Sequence, residues 1–418
     1  SAERDSSPMT NVRSRTTIRS SRLAYNACMF GHSMLKEWPL DAGVTYLNHG
    51  TVGSPPRRVL EAQQRLRDEI ERQPSRFLLR ELSGIRVGVP HDNVSRLREA
   101  ADAVASFLSV DGKDVAFVDN ATTGVNAVLR CFDFREGDEL LILDLAYGGV
   151  RNAADAAART RRARVCVVDL PDATAGEESL IQAVEAKIRP QTRLALLDHV
   201  TSETALVLPL AAIASRCHHH GVAVLADGAH APGAIPLNIE ALGVDWYTGN
   251  LHKWAWAPRS CGILWAHPSR QAALHHPAAS WGLDQGFTLE FDWPGTRDPT
   301  PQLTAPAAIA YMRELGVEAV QSYNHRLAWQ AGCTMAAHWN TKLLGSEDMI
   351  GTMVSVPLPQ SLGSTPDEAK RLRDALLFQD NIEVQVYARR DRLHVRVSAQ
   401  IYNEMADVER LIDAIDRR

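Results

Sequence analysis

The sequence lacks the features that mark disulfide-linked, membrane-spanning and nucleic-acid-binding proteins. Its six cysteines are scattered over 418 residues without a C-x-x-C pair, which argues against a disulfide framework. No apolar run reaches the roughly 18 residues that a transmembrane helix needs. The net charge of −5 gives no electrostatic reason to bind nucleic acid or an anionic membrane. We therefore expect a cytoplasmic protein with no nucleic-acid or membrane partner.

Metal-binding and nucleotide-binding motifs are missing as well. His218-His219-His220 is a run of three histidines, but consecutive residues of a helix point in different directions, and no cysteine or acid follows at metal-ligand spacing. The polar turn at 120–124 has neither the glycine spacing of a Walker loop nor that of a dinucleotide fingerprint. We predict no metal site.

The chain does have the pattern of an α/β protein. Hydrophobic residues make up 45% and charged residues 23% of it, as in a globular protein with a large core. Short apolar segments without polar alternation are separated by helical patterns, which favours a mostly parallel sheet with helices on both faces. The predicted strands are 115–118, 140–143, 165–168, 194–197, 222–226 and 262–265.

The pattern changes after residue 300, where we predict a smaller α+β domain. It has a long helical stretch at 307–343, a strand at 353–357, a helix at 367–379, two paired strands at 382–387 and 393–397, and a closing helix at 404–416. The predicted organisation is a disordered leader at 1–30, a large domain at 31–300 and a small C-terminal domain at 301–418. The segment 31–47 is expected to pack on the small domain.

Candidate chemical residues follow the predicted strands at 120–123, 144–147, 199–202 and 227–230. Binding sites in parallel sheets lie beyond the carboxyl ends of the strands, so we expect these residues to meet there. Asp227 ends a buried strand, and Lys253 follows with His252 and Asn250 beside it. Pyridoxal phosphate (PLP) needs a carboxylate for its ring nitrogen and an amine for its aldehyde. A capping aspartate and a surface lysine are the alternative readings, and the neighbours of Lys253 favour the cofactor.

Three further positions have both a functional and a structural reading. Thr122 and Thr123 open a helix, where they either bind a phosphate or only cap the helix. Tyr147 stands in a glycine-rich turn, where it either stacks on the cofactor ring or is structural. Arg396 alternates with apolar residues on a strand, and it either faces solvent or grips a substrate carboxylate with its two-pronged guanidinium.

Together these segments resemble aminotransferase class V, the fold type I PLP enzymes, and within it the isopenicillin N epimerase-like branch. The resemblance covers the chain from about residue 40 to its end. It rests on YLNHG at 46–50, FLLREL at 77–82, NATTGVN at 120–126, HVTS at 199–202, DGAHAPG at 227–233, GNLHKW at 249–254, GTRD at 295–298 and RVSAQ at 396–400. The turn at 257–262 departs from the Pro-Lys-Gly expected there.

The resemblance implies a homodimer that binds PLP and a role for each matching residue. Lys253 would form the Schiff base with PLP, and Asp227 would meet its ring nitrogen. A substrate carboxylate would be held by Arg396, with Asn48 also in the substrate site. The other implied contacts are His230 and Ser202 near the ring hydroxyl, Tyr147 on the ring, Thr122, Thr123, Asn250 and His252 at the phosphate, and Thr296 at the phosphate of the partner subunit.

The resemblance fixes the cofactor more closely than the reaction. We expect an amino-acid epimerase, which requires proton delivery to both faces of the substrate Cα. The alternative is a C–S β-lyase acting on a cysteine S-conjugate, which requires Lys253 and a good leaving group. An aminotransferase or a non-catalytic binding relative is less favoured. Cysteine desulfuration is disfavoured because the last cysteine, Cys333, lies inside a helical pattern with none after it.

Overall fold

The computed structural model describes residues 30–84 and 95–418, and its centre is a seven-stranded sheet. The strand order is β2-β8-β7-β6-β5-β3-β4, and only β8 runs antiparallel to its neighbours. The predicted mostly parallel α/β fold is therefore confirmed. The strands of the described chain are β1 (Thr45–Tyr46), β2 (Val115–Val118), β3 (Glu139–Leu143), β4 (Arg164–Val168), β5 (Thr192–Asp198), β6 (Ala223–Gly228), β7 (Trp246–Asn250), β8 (Gly262–Ala266), β9 (Met353–Pro357), β10 (Ile382–Glu383), β11 (Gln385–Arg389) and β12 (Arg392–Ser398).

Helices cover both faces of this sheet. Alternate strand residues point to opposite faces, so Leu141 and Leu143 join one apolar cluster while Leu140 and Ile142 join the other. The helices are His49–Val52, Arg57–Arg72, Pro74–Arg76, Arg96–Leu108, Ala121–Cys131, Gly148–Arg161, Glu177–Glu185, Leu210–His219, Phe287–Asp292, Thr300–Leu315, Val317–His338, Pro366–Asp380 and Met405–Asp416, with a π-helical turn at Phe77–Glu81.

The six predicted strands of this sheet are all present, and the structure adds a seventh, β7. Sequence reasoning missed β7 because its second half, Thr248-Gly249-Asn250, is polar or lacks a side chain. All five of its residues are nevertheless buried. The Thr248 hydroxyl donates a hydrogen bond of 2.9 Å to the carbonyl oxygen of Ile263, which makes a buried polar strand residue tolerable.

Two predictions past residue 300 need correction. The long helical stretch is two helices, which are separated at Gly316 because this residue has a φ of 88°, in the left-handed region that favours glycine. The predicted strand at 382–387 is two strands. Its first half, β10, pairs with β1, whereas β11 pairs with β12 in an antiparallel sheet of order β11-β12-β9.

The segment that precedes the large sheet contacts the C-terminal part of the chain. Its strand β1 pairs in parallel with β10, and the Gly31 amide donates a 2.7 Å hydrogen bond to the carbonyl oxygen of Ile401. Phe30 packs edge-on against Tyr323. Apart from Phe30, the predicted leader lies outside the described residues. The division into domains at residue 300 stays a prediction.

Candidate active site

The carboxyl ends of β3, β5, β6 and β7 lie around one cavity of about 470 Å³. The structure brings together here most of the residues that the sequence singled out. They are Thr122, Thr123, Tyr147, Ser202, Asp227, His230, Asn250, His252 and Lys253. Arg396 and Asn48 stand behind the cavity lining and reach it through Ser202 and Thr51. Thr296 is exposed and does not line the cavity of this chain.

The Lys253 amine is held by a histidine. Its Nζ lies 3.0 Å from Nε2 of His230, and the indole Nε1 of Trp254 donates to Nδ1 of the same ring at 3.5 Å. With Nδ1 accepting, Nε2 carries the ring proton and donates it to the lone pair of a neutral Lys253 amine. Burial lowers the pKa of His230 well below its ordinary value, so the ring is neutral.

The electrostatics of Lys253 agree with this arrangement. Burial, and then the nearby positive charge of Arg396, lower its pKa to about 7, although the carboxylate of Asp227 acts in the opposite direction. At neutral pH a large fraction of this amine is therefore unprotonated. An unprotonated amine is the form that attacks an aldehyde or accepts a proton from carbon.

Asp227 has a second carboxyl group beside it. Its own Oδ1 accepts a 2.9 Å hydrogen bond from the Ala229 amide, which favours the charged form, while burial raises its pKa. Asp198 pairs in register with Asp227 on the adjacent strand and also lines the cavity. Sequence reasoning missed Asp198, although it directly precedes the HVTS segment at a strand end.

The turn before helix Ala121–Cys131 is organised by two asparagines. Oδ1 of Asn120 accepts from the Thr123 amide at 3.0 Å, and Oδ1 of Asn250 accepts from the Ala121 amide at 2.8 Å. His252 donates from Nδ1 to the carbonyl oxygen of Cys261 at 2.9 Å, and burial lowers its pKa to about 4. Its Nε2 could therefore donate to an anion only as imidazolium, a form that the charge of the anion would favour.

The Arg396 guanidinium is buried, with 3% of the residue exposed. Its Nη1 donates to the Ser202 carbonyl oxygen at 2.5 Å, and its Nη2 donates to Thr51 Oγ1 at 2.8 Å and to Asn48 Oδ1 at 3.2 Å. Within the described residues, its Nε has no partner. Burial lowers the pKa of Arg396 to about 10, so the side chain stays charged at neutral pH.

Asn48 contacts Arg396 rather than the cavity directly. Its Oδ1 accepts from both Arg396 and Thr51, and its Nδ2 donates to Oε1 of Glu383 at 2.7 Å. Both ends of the amide are thus engaged, which fixes its orientation. Thr51 and Glu383 carry no motif signal of their own, and sequence reasoning missed both.

The turn at 48–53 also touches the lysine loop. Nε2 of His49 lies 3.1 Å from the Lys253 carbonyl oxygen, and Nδ1 lies 2.9 Å from the Tyr402 hydroxyl. A side chain at Gly53, which has a φ of 65°, would overlap the carbonyl oxygen of His252. This close approach explains a glycine there and connects the Arg396 contacts with the loop that bears Lys253.

The remaining predicted residues are less enclosed. Tyr147 is 53% exposed and lies at the start of helix Gly148–Arg161, where a flat ligand in the cavity would have access to its ring. Of the five cysteines in the described chain, none lines the cavity, and Cys333 lies inside helix Val317–His338.

Comparison with known proteins decides the family. The family model of aminotransferase class V matches residues 87–411. The chain belongs to aminotransferase class V. It is 30% identical to an L-cysteine desulfhydrase of Arabidopsis thaliana over 407 residues, covering 89% of this chain and 87% of that protein. It is 29% identical to an isopenicillin N epimerase of Streptomyces clavuligerus over 395 residues, covering 90% of this chain and 95% of that one.

A solved structure of the same fold is a variant of C-DES with glycine covalently linked to its PLP cofactor. It has a TM-score of 0.74 and 22% identity, and covers 91% of this chain and 98% of that one. The class V protein described here is therefore a PLP-dependent enzyme. The non-catalytic reading is excluded. In the part of the chain that the structure describes, no helix is both long and apolar enough to span a membrane.

The donor set of the cavity fits PLP. The cofactor requires an amine, a carboxylate for its ring nitrogen and donors for its phosphate. The cavity has a near-neutral amine at Lys253, a buried carboxyl at Asp227 and the start of helix Ala121–Cys131. A helix N-terminus favours anions through its free amides and its dipole.

Proposed function

We propose that this enzyme breaks the Cβ–S bond of cysteine or of a cysteine S-conjugate by β-elimination. The supporting observation is the Lys253 amine, whose pKa is lowered to about 7 and whose Nζ lies 3.0 Å from Nε2 of His230. One base suffices for this elimination, whereas epimerisation needs a base on one face of the substrate Cα and an acid on the other. Of the other basic side chains lining the described cavity, His230 has both ring nitrogens hydrogen-bonded, and His252 has Nδ1 hydrogen-bonded to the Cys261 carbonyl oxygen.

The roles of the site residues are part of this proposal. Lys253 carries PLP, and Asp227 faces the ring nitrogen. Arg396 binds the substrate carboxylate while Asn48 holds Arg396 in place. The other proposed contacts are His230 and Ser202 near the ring hydroxyl, Tyr147 on the ring, and Thr122, Thr123, Asn250 and His252 at the phosphate. When bound, PLP supplies an electron sink that makes the substrate Cα–H acidic.

The chain's own groups then move one proton. Nζ of Lys253 accepts the proton from the substrate Cα, and the electron pair of that bond forms the Cα–Cβ double bond as the Cβ–S bond breaks toward sulfur. Lys253 returns the proton to the departing thiolate. Hydrolysis of the remaining three-carbon unit gives pyruvate and ammonia. No cysteine nucleophile is required, consistent with the described cysteines lying away from the cavity.

The assembly and location belong to the same proposal. We propose a homodimer in which Thr296 reaches the phosphate site of the partner subunit, since this residue is exposed and outside the cavity of its own chain. We also propose a large domain at 31–300, a small domain at 301–418 and a cytoplasmic location.

Amino-acid epimerisation is the second candidate. Relatives with this activity in their name are 29% and 30% identical, close to the 30% of the desulfhydrase. Tyr147 lines the cavity and is half-exposed, so its hydroxyl or a water beside it could deliver the second proton.

The two reactions separate in deuterated water. The purified enzyme is incubated in D₂O with L-cysteine, cystine, a cysteine S-conjugate and other amino acids. The lyase proposal predicts pyruvate, ammonia and one sulfur product in equal amounts. That product is sulfide from L-cysteine, a persulfide from cystine and a thiol from the S-conjugate. Deuterium at Cα with inverted configuration and no pyruvate would instead establish the epimerase. Cys333→Ala is the control, and it should keep full activity because this cysteine lies outside the cavity.

A further inference from the structure

Asp198 is a buried carboxyl group to which the class V chemistry above assigns no role. It is the last residue of β5, is 4% exposed, and lines the same cavity as Lys253. Asp227, its register partner on β6, is also 4% exposed. Register partners on adjacent parallel strands are about 4.8 Å apart and point to the same face of the sheet. The two carboxyl groups therefore lie on adjacent strands and on the same face of the sheet, and both are buried.

Two neighbouring carboxyl groups with little access to water cannot both be ionised at low cost, so one keeps its proton. The surroundings of the two differ in which charge they favour. Asp227 accepts a hydrogen bond from the Ala229 amide at 2.9 Å and lies near the Lys253 amine, and both favour its charged form.

Asp198 is surrounded by less favourable charges. The charges that act on it are the carboxylates of Asp227 on β6 and of Asp144 after β3, and the guanidinium of Arg151 on helix Gly148–Arg161. The Arg151 Nη2 already donates to the carbonyl oxygens of Leu143 and Asp144. Burial, and then the charge of Asp227, raise the pKa of Asp198 well above its ordinary value, although its own backbone amide and the charge of Arg151 act in the opposite direction.

We propose that Asp198 and Asp227 form a carboxylic acid–carboxylate pair, in which Asp198 keeps the proton and donates it in a hydrogen bond to Asp227. Asp198 is then a positioning residue, which holds the Asp227 carboxylate toward the ring nitrogen of PLP. The pair carries one negative charge, matched to one pyridinium. This role concerns the cofactor site alone and is the same for a lyase and for an epimerase.

Infrared difference spectroscopy of the holoenzyme tests the proton directly. The spectrum of the wild type minus that of Asp198→Asn at neutral pH should contain the carbonyl band of a protonated carboxylic acid. Asp155→Asn, which removes an exposed acid from helix Gly148–Arg161, is the control. The spectrum of the wild type minus that of this variant should lack the band. A difference spectrum for Asp198→Asn that contains only carboxylate bands would overturn the proposal.

PLP affinity provides a second readout that does not depend on activity. Asparagine can donate the same hydrogen bond, so Asp198→Asn should keep the Kd for PLP within about 3-fold, whereas Asp198→Leu should weaken it by about 10-fold or more. Equal weakening in both variants would contradict a hydrogen-bond role. Should Asp198→Leu fail to fold, the infrared spectrum of Asp198→Asn still decides the question.

Discussion

Two regions of the site are built in different ways. The lysine side, defined as Asp227, His230, Asn250, His252 and Lys253, comes from one stretch of chain at the ends of β6 and β7. The arginine side, defined as Asn48, Thr51, Glu383 and Arg396, joins segments more than 330 residues apart in sequence. The first provides the reactive amine and carboxylate, and the second a buried cation with a fixed hydrogen-bond frame. Under the proposed function, the chemistry and the substrate recognition therefore belong to separate parts of the structure.

The two sides nevertheless meet. His49, in the turn between Asn48 and Thr51, lies 3.1 Å from the Lys253 carbonyl oxygen. The charge of Arg396 is also the second cause, after burial, of the lowered pKa of Lys253. A change on the arginine side should therefore alter the pKa of the Lys253 amine. Substrate affinity, in contrast, should depend mainly on the arginine side.

The largest expected effect is on the lysine side. Lys253→Ala removes the amine that we propose to carry PLP and to move the α-proton, so kcat should fall by about 10³-fold or more. Steady-state assays of pyruvate release measure this. Lys342→Ala, at an exposed lysine, is the matched control and should retain activity. Substantial activity in Lys253→Ala would remove the basis of the mechanism.

Loss of the cation on the arginine side should act through substrate binding. Arg396→Leu removes the proposed charged partner of the substrate carboxylate, so kcat/KM should fall by about 100-fold, mostly through a higher KM. Arg392→Leu changes a less buried arginine on the same strand and serves as the control. If the kcat of Arg396→Leu falls while KM stays constant, Arg396 acts on the chemistry and the separation of the two sides is wrong.

The coupling between the sides predicts a pH dependence. Protonation blocks the Lys253 amine, so the rate at which cofactor-stripped protein captures PLP should rise with pH and level off above its pKa of about 7. An ordinary lysine would instead give a rate that rises about tenfold per pH unit up to pH 9. Absorbance after rapid mixing at several pH values distinguishes the two. In Arg396→Leu the midpoint should move to higher pH because one cause of the lowered pKa is gone.

The smallest effect is expected at Glu383, which acts through Asn48. Glu383→Ala frees the Asn48 amide to rotate away from Arg396, so KM should rise about 3-fold with kcat unchanged. Glu383→Gln retains an oxygen that can accept from Asn48 Nδ2, and it should restore most of the affinity. Equal KM values for wild type and Glu383→Ala would show that substrate binding by Arg396 does not depend on the hydrogen bond between Glu383 and Asn48.

The sequence predicts the lysine side far better than the arginine side, for a physical reason. Asp227, His230 and Lys253 are close in the chain, and the rule that parallel strands place their carboxyl ends together brings them to Thr122 and Ser202. The same local signals locate six of the seven strands. The same signals do not locate strand β7, because its second half is polar and belongs to the site. Apolar periodicity therefore does not mark it as a strand.

The contacts of Arg396 depend on pairings that no local pattern encodes. The residue itself belongs to a recognisable segment, but its partners Thr51 and Asn48 arrive through the β1–β10 pairing, and Glu383 through a strand of only two residues. Asp198 was missed because its importance comes from its register with Asp227 on another strand. Register between strands is set by the packed sheet, not by the residue types alone.

One measurement tests directly whether Lys253 carries PLP within this site. The holoenzyme is reduced with borohydride, digested and analysed by mass spectrometry to locate the pyridoxyl group. We expect this group on the peptide that contains Lys253, and no such label in Lys253→Ala. A pyridoxyl group on another lysine, or on none in an active enzyme, would contradict it.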